Sequence, residues 1–476
     1  MAAVDAHSQD AELLLGRSIY HKGTDASGSL IRAQLALTGQ VFPATEFACV
    51  NCHGVDGEAG QEGEVSIPAI NAPQLLERNS ASSVLKVITQ GLNNRQQAIS
   101  PAMPRYTLSR AQGQALLRYL SILGSAEDPD PGVTDSEVHF ATLLPLTGKL
   151  SARGQALQST LATCIARVNR QGLIYGRKLV LDVIDYQSSP EQLVAASKRL
   201  LLAGRSFALL SGDVPEDNVK FYTFWEQTRT PVIAPLTFNP QPHAADSFFY
   251  FLPSWADQAR ALLDYWLDYR PQARRTLPKL IVVYDERINT TKLVTSALAQ
   301  QIQRQHLPKS TISFISLAAK LGAGEQQELT NAEAIFFVAE ADAIKTFIAQ
   351  QPELSEKIWL GLLDMLGPNF AKFSRNSLWI SPFLENHVGE QDVACAAVDF
   401  AVAGLKVAGK HLRQAHFLKA LTQLESFAVK SMPAFKFDAN QRVGARGGFI
   451  SIWDHATQTF QQSNDWVMPL ETEIKR

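Results

Sequence analysis

The stretch TEFACVNCHGVDG, residues 45–57, holds two of the chain's four cysteines, with a histidine directly after the second. Cys49, Cys52 and His53 have the spacing by which a polypeptide takes up a haem covalently. Two thiols separated by two residues can add across the two vinyl groups of one haem edge. The histidine then lies beneath the iron as its proximal ligand. Other chemistries are less well served. A zinc site needs a second Cys or His pair at metal spacing, and none follows. A thioredoxin-type pair needs a strand–helix junction, whereas this pair leads into a Gly-rich loop.

A second axial ligand must come from elsewhere. Met103, in SPAMPRYTLS, is the only methionine besides Met1 in the first 130 residues. It stands in a Pro-flanked loop, where a thioether can reach the other face of the haem; Met/His ligation raises the reduction potential and suits electron transfer. His21 is the competing ligand. The expected cofactor is one covalently attached haem c.

These residues need helices around them. Residues 8–20 read as a helix with Leu13, Leu14, Ile19 and Tyr20 apolar. Residues 109–123 form another: Ser109 and Gln112 fit a capping box, and Leu116, Leu117, Leu120 and Leu123 share a face. GSAEDPDPGVTDSE, residues 124–137, then carries five acids, two prolines and no base. It reads as a solvated linker between residues 1–123 and a second unit, residues 138–476. In that unit VHFATLLPL, KLVLDVID, FALLSG, PVIAPL, KLIVVYD, AEAIFFVA and KIWLGLL are short apolar runs separated by helical segments. That alternation predicts parallel sheets covered on both faces, in two α/β lobes.

GRSIY, ACVNCHGVDG, IPAI and AMPRYTLSRAQGQALLRYL together resemble a small class I cytochrome c over residues 8–123. The resemblance implies a small all-α domain without an open iron position, hence electron transfer and no substrate chemistry on iron. It also implies that Gly16 and Tyr20 on the first helix pack against Tyr119 on the last, and that Pro68 stands near the proximal histidine. The segment between Lys22 and Phe42 is longer than in the simplest members. Arg95, Arg105, Arg110 and Arg118 lie in an acid-free stretch, while Glu46, Asp56, Glu58, Glu62 and Glu64 surround the attachment motif. Such an asymmetry can steer a redox partner towards one haem edge.

VHFATLLPLTGKLSARGQAL, NRQGLIYGRKLVLDVIDYQSSPEQLVAASKRLL, TPVIAPLTFNP and FKFDANQRVGARGGFISIW resemble the type I periplasmic binding proteins of the branched-chain amino acid and amide class. The resemblance implies two α/β lobes that close by a hinge on a small ligand. Ligand contacts then fall on the loops at the C-terminal strand ends. Carried over by motif, these are Arg153, Asp213, Glu216, Asp217, Thr237, Phe238, and in the second lobe Asn289, Glu340 and Asp364. Amino-acid binders of this family offer hydroxyls where this chain has acids, and a polar contact where it has Phe238. The departures favour an aromatic or apolar ligand bearing a cationic or hydroxyl group.

Composition sets the outer limits. A net charge of −2 without a long basic run argues against nucleic-acid or membrane-surface binding. No apolar run reaches the length of a membrane-spanning helix. MAAVDAHSQDAEL reads as a mature N-terminus with an added initiator Met. Cys164 and Cys395, in Ala-rich helical surroundings, read as buried free thiols. No Gly-x-Ser-x-Gly, phosphate-binding loop or His-Glu-x-x-His occurs, and no catalytic residue is assigned. The expectation is a periplasmic electron-transfer protein, served by a dehydrogenase or another cytochrome, whose binding module senses or delivers a small molecule. The alternatives are a solute receptor for an ABC-type transporter with an accessory haem, and a scaffold whose cleft contacts a protein.

Overall fold

The computed structural model describes the chain except residues 1, 26–28, 55, 64, 72–74, 76–77, 126–127, 129, 173, 204–205, 216–217, 242–245, 270–278, 372–375, 384–388, 411, 431, 455 and 472–476. The first elements are helix α1 (Ala2–Lys22), strands β1 (Arg32–Gln34) and β2 (Val41–Pro43), the short helix α2 (Cys49–His53) and strands β3 (Gly60–Glu62) and β4 (Val65–Ile67). Helix α3 (Ala81–Gln90), strand β5 (Arg105–Thr107) and helix α4 (Arg110–Leu120) follow. The capping box at α4 is made as expected: Ser109 accepts from Gln112 N, and the Gln112 side chain accepts from Ser109 N. Its apolar face supplies Leu116, Tyr119 and Leu120 to a core completed by Ile19, Tyr20, Val84 and Ile88.

Where α1 crosses α4, Gly16 is required. A Cβ there would lie 2.0 Å from the Ala115 carbonyl oxygen. Tyr20 and Tyr119 pack beside this crossing with ring centroids 5.6 Å apart, as the cytochrome resemblance implied. The longer segment between Lys22 and Phe42 folds as β1 and β2, an antiparallel pair extended on the β1 side by β5. The helical domain therefore also carries a three-stranded sheet, and β3 pairs with β4.

Two α/β lobes follow. Lobe 1 has five parallel strands in the order β10-β9-β8-β6-β7: β6 (Glu137–Leu144), β7 (Lys178–Asp185), β8 (Ala208–Leu210), β9 (Val232–Ile233) and β10 (Phe248–Phe249). Helices α5 (Ser151–Gln171), α6 (Pro190–Ala203) and α7 (Val219–Thr228) connect them. Helix α8 (Trp255–Tyr269) leads into lobe 2. Its sheet runs β12-β11-β13-β14-β15-β16-β17, formed by β11 (Leu280–Tyr284), β12 (Ile312–Ser316), β13 (Ala334–Val338), β14 (Ile358–Leu362), β15 (Asn376–Ser381), β16 (Gly448–Asp454) and β17 (Thr459–Val467). Strands β11 to β15 are parallel, and β16 and β17 are antiparallel additions. Lobe 2 includes helices α9 (Asn289–Arg304), α10 (Ala323–Asn331) and α11 (Ala341–Ala349). Between β15 and β16 the chain returns to lobe 1 as α12 (Gly389–Ala408) and α13 (Gln414–Gln423), whose apolar faces join the same core as β6 and α5.

Two expectations change here. Cys164 on α5 and Cys395 on α12 are not free thiols: they form a disulfide, with Cα atoms 5.6 Å apart and a sequence separation of 231. The two helices lie side by side in lobe 1, so residues remote in sequence become neighbours. The acids of residues 124–137 are not all solvated either. Asp128 and Asp130 are 2% and 3% exposed, because they neutralise arginines held between the units. Arg17 pairs with Asp130. Arg413, preceding α13, lies 3.7 Å from Asp128 and 3.6 Å from Asp56.

Replacing Cys164 and Cys395 together by serine should lower the unfolding free energy by about 2–5 kcal/mol in denaturant titration, since the crosslink closes a long loop. Alkylation and intact-mass analysis of the wild type should find this pair protected.

Candidate functional site

Cys49, Cys52 and His53 line one cavity of about 850 Å³ together with Met103. That volume lies within the roughly 300–1,000 Å³ of cofactor and small-molecule sites. Helix α2 presents the first three, and the loop before β5 presents Met103. Most of the remaining wall is apolar, including Ile67, Val84, Ile88, Leu116 and Leu120, while Arg78 and Asn79 add polar groups. The donor set fits a haem: two thiols for its vinyl groups, an imidazole and a thioether for its iron, and an apolar surround that excludes water.

The local chemistry prepares the histidine. His53 Nδ1 lies 3.2 Å from the Pro68 carbonyl oxygen. That oxygen can only accept, so Nδ1 carries the proton and Nε2 keeps the lone pair with which it could bind a metal. Burial pushes the His53 pKa down, with the Pro68 hydrogen bond opposing it, and the ring stays neutral. Burial likewise pushes the Cys49 thiol up to about 12. Around Met103 the loop is tied from β5. Arg105 donates to the Met103 carbonyl and covers Gly91, where a Cβ would clash with the guanidinium. Arg105 is thereby committed to the Met103 loop. Asp56, on the acidic side, is engaged by Arg413. His21 lies outside the cavity wall; its Nε2 is 2.8 Å from Tyr119 Oη, which donates in turn to Asp128 at 3.1 Å.

The second set of residues gathers at the C-terminal strand ends of the two lobes. In lobe 1, Arg153 follows β6, Asp213 follows β8, and Thr237 and Phe238 follow β9. In lobe 2, Asn289, Glu340 and Asp364 lie beyond the ends of β11, β13 and β14, strands adjacent in the sheet. All three are exposed. Glu216 and Asp217 lie outside the described residues.

Arg153 is held from two sides. Its Nη1 donates to Asp213 Oδ1 at 2.6 Å, and Nε and Nη2 donate to the two Glu390 oxygens at 2.7 and 2.6 Å. Tyr186 donates to the other Asp213 oxygen. Burial raises the Asp213 pKa, with Arg153 and Tyr186 pulling it back. Thr237 turns inward and is 1% exposed. Phe238 stacks on Trp255 with centroids 5.5 Å apart and meets Phe383 edge-on at 6.2 Å. Asp364 is reached by solvent yet ringed by protein. Desolvation raises its pKa to about 6, Glu390 adds repulsion, and a hydrogen bond from Ser381 opposes both. Glu390, Tyr186, Trp255 and Phe383 were not foreseen. In sequence Glu390 is only an acid in the first turn of a helix, and nothing marks Arg153 as its partner.

Residues 38–123 match the family model for cytochrome c, and residues 137–320 match a periplasmic binding protein model. The chain joins a haem-protein domain to a two-lobed ligand-binding fold. Its first unit contains a cytochrome c domain and its second has the two-lobed α/β fold of the type I periplasmic binding proteins; both families are generally non-enzymatic. A Leu/Ile/Val-binding protein of Rhizobium johnstonii is 28% identical over 74 residues, 16% of this chain and 20% of that protein. The chain thus spans about a fifth of the length of that curated relative. Among solved structures, a substrate-binding protein from Desulfitobacterium hafniense in complex with Leu aligns at a TM-score of 0.55 and 15% identity, over 69% of this chain and 100% of that one. A type 1 periplasmic binding protein from Bordetella pertussis Tohama I aligns at 0.54 and 12%, over 69% and 100%. A substrate-binding periplasmic protein from Ralstonia solanacearum aligns at 0.52 and 17%, over 68% and 99%. At these identities the likeness is one of fold. No described helix is long and apolar enough to cross a membrane.

Replacing Arg153 by methionine strands Asp213 in a buried position. Urea denaturation should show a loss of roughly 3 kcal/mol, and a second change, Asp213→Leu, should recover part of it.

Proposed function

We propose that this chain is a periplasmic c-type cytochrome for electron transfer, joined to a small-molecule-binding module that senses or delivers its ligand. The shared cavity of Cys49, Cys52, His53 and Met103 is the observation that carries the reading. Cys49 and Cys52 would hold one haem c by thioether bonds, with His53 and Met103 as its axial ligands. When bound, that group supplies a one-electron couple whose potential Met/His ligation raises. The chain's own residues do the rest. Pro68 fixes the His53 tautomer, Arg105 ties down the Met103 loop, and the apolar wall keeps water from the iron. The redox partner is a periplasmic dehydrogenase or another cytochrome. The Cys164–Cys395 disulfide supports an oxidising compartment, and both families are typically periplasmic.

The binding module takes its ligand between the lobes. Arg153 is already neutralised by Asp213 and Glu390, so it offers no open cation to an α-carboxylate. Asp364 and Glu340 add negative charge from lobe 2, and the Phe238–Trp255 stack supplies an aromatic wall. A cationic or hydroxyl-bearing ligand with an aromatic or apolar body fits this wall better than an amino acid does. The likeness to substrate-binding proteins supports a second reading, that of a transporter's solute receptor with an accessory haem.

Protein matured in an exporting host should keep its pigment through acid denaturation and solvent extraction. Met103→Ala should leave the pigment attached while lowering the reduction potential; pigment lost to the solvent phase would sink the covalent assignment. In thermal-shift screens, aromatic amines should stabilise the second unit by mass action and leucine should not. Because Asp364 ionises near pH 6, the affinity for such cations should rise as pH passes upward through that value.

A further inference from the structure

Tyr106, on β5, makes a polar contact that the attachment motif and the axial donors do not by themselves require. Its side chain is 7% exposed and lines the same cavity as Cys49, Cys52, His53 and Met103. The hydroxyl donates to the Phe47 carbonyl, across a sequence separation of 59. Phe47 stands two residues before Cys49, and the Cys49 side chain hydrogen-bonds with the same hydroxyl. Burial pushes the Tyr106 phenol up, and the two cysteines act in the same sense. The group therefore stays protonated and keeps its donor.

The two ends of this contact belong to the two segments that supply the cavity's donors. Met103 lies three residues before Tyr106, and Arg105 holds its carbonyl. Phe47 leads into α2, which carries Cys49, Cys52 and His53. The segment between Lys22 and Phe42 supports both ends. Strand β5 has three residues, too few to hold a register alone. Its pairing with β1 sets Ala33 opposite Tyr106, and β1 in turn sets Ala33 opposite Phe42 of β2. Phe42 meets Phe47 edge-on, with ring centroids 5.6 Å apart. The added sheet thus braces the residue that donates and the residue that accepts.

We propose that Tyr106 is a positioning residue for the Met103 loop: its hydroxyl straps β5 to the chain entering α2, and the β1–β2 insertion braces that strap. The proposal rests on the electron-transfer reading only for the role of Met103 as an iron ligand. Without the hydroxyl, the Phe47 carbonyl loses this donor, and the loop is held by fewer bonds in the closed position. The loop then opens more often, and other ligands compete better with the thioether for the iron.

The test compares the full, haem-loaded chain with Tyr106→Phe, which keeps the ring and removes the hydroxyl. Hydrogen exchange of residues 99–105, read by mass spectrometry, should quicken about twofold to tenfold in the variant, with exchange in α4 unchanged. Imidazole, which displaces a thioether from ferric iron, should bind about twofold to tenfold more tightly in an absorption titration. Phe42→Leu should move both readouts the same way by a smaller factor. Thr107→Ser, at an exposed position of the same strand, should match the wild type. The strap is overturned if Tyr106→Phe exchanges and binds imidazole as the wild type does, or if exchange quickens equally throughout the domain. Protein without covalent pigment would instead defeat the electron-transfer reading, and the exchange measurement on it would still decide whether Tyr106 holds the loop.

Discussion

At Gly16 the backbones of α1 and α4 approach so closely that no side chain fits between them, a Cβ there meeting the Ala115 carbonyl at 2.0 Å. The consequences run in two directions. On one face the crossing sets Tyr20, Leu116 and Leu120 against the cavity lined by Cys49, Cys52 and His53. On the other it sets Arg17 and Tyr119 against Asp130 and Asp128 of the connecting segment. Tyr20 donates to the Gly54 carbonyl at 2.8 Å, just past the attachment histidine. One close helix contact thus shapes the cofactor cavity and also presents the charges by which the domain meets lobe 1.

Lobe 1 has its own fixed point. Arg153, in the first turn of α5, has its guanidinium committed to Asp213 and Glu390. A buried carboxylate such as Asp213 is costly without a partner, so the pairing is demanded by the fold. The same pairing removes the cation that a carboxylate ligand would use.

Legibility in the sequence followed the range of each interaction. Cys49, Cys52 and His53 could be grouped in advance because they are near neighbours in the chain, and the structure gathers them with Met103 around one cavity. The capping box of Ser109 and Gln112 spans three residues, and KLVLDVID marks a strand by its own composition. Pairings across the fold left no such mark. Cys164 and Cys395 each sit in an unremarkable helix, and only packing of α5 on α12 makes them partners. Arg153 and Glu390 are likewise set by that packing. Asp128 and Asp130 looked solvated because acids beside prolines usually are. Their arginine partners, Arg17 and Arg413, lie far away on either side in sequence. The insertion after Lys22 could be seen as extra length, but its pairing with β5 depended on a strand more than sixty residues on.

The polar contacts described between the cytochrome domain or connecting segment and the binding module all reach lobe 1. Arg17 and Gln414 meet on Asp130, Arg413 contacts Asp56 and Asp128, and Arg229 contacts Asn51. Buried charges of this kind resist separation, because parting them would leave each desolvated and unpaired. The disulfide and the Arg167–Asp399 ion pair at 2.7 Å bind α5 to α12 within the same lobe. The cytochrome domain and lobe 1 are thereby joined by polar contacts from both the connecting segment and α2, and lobe 1 is tied within itself across α5 and α12.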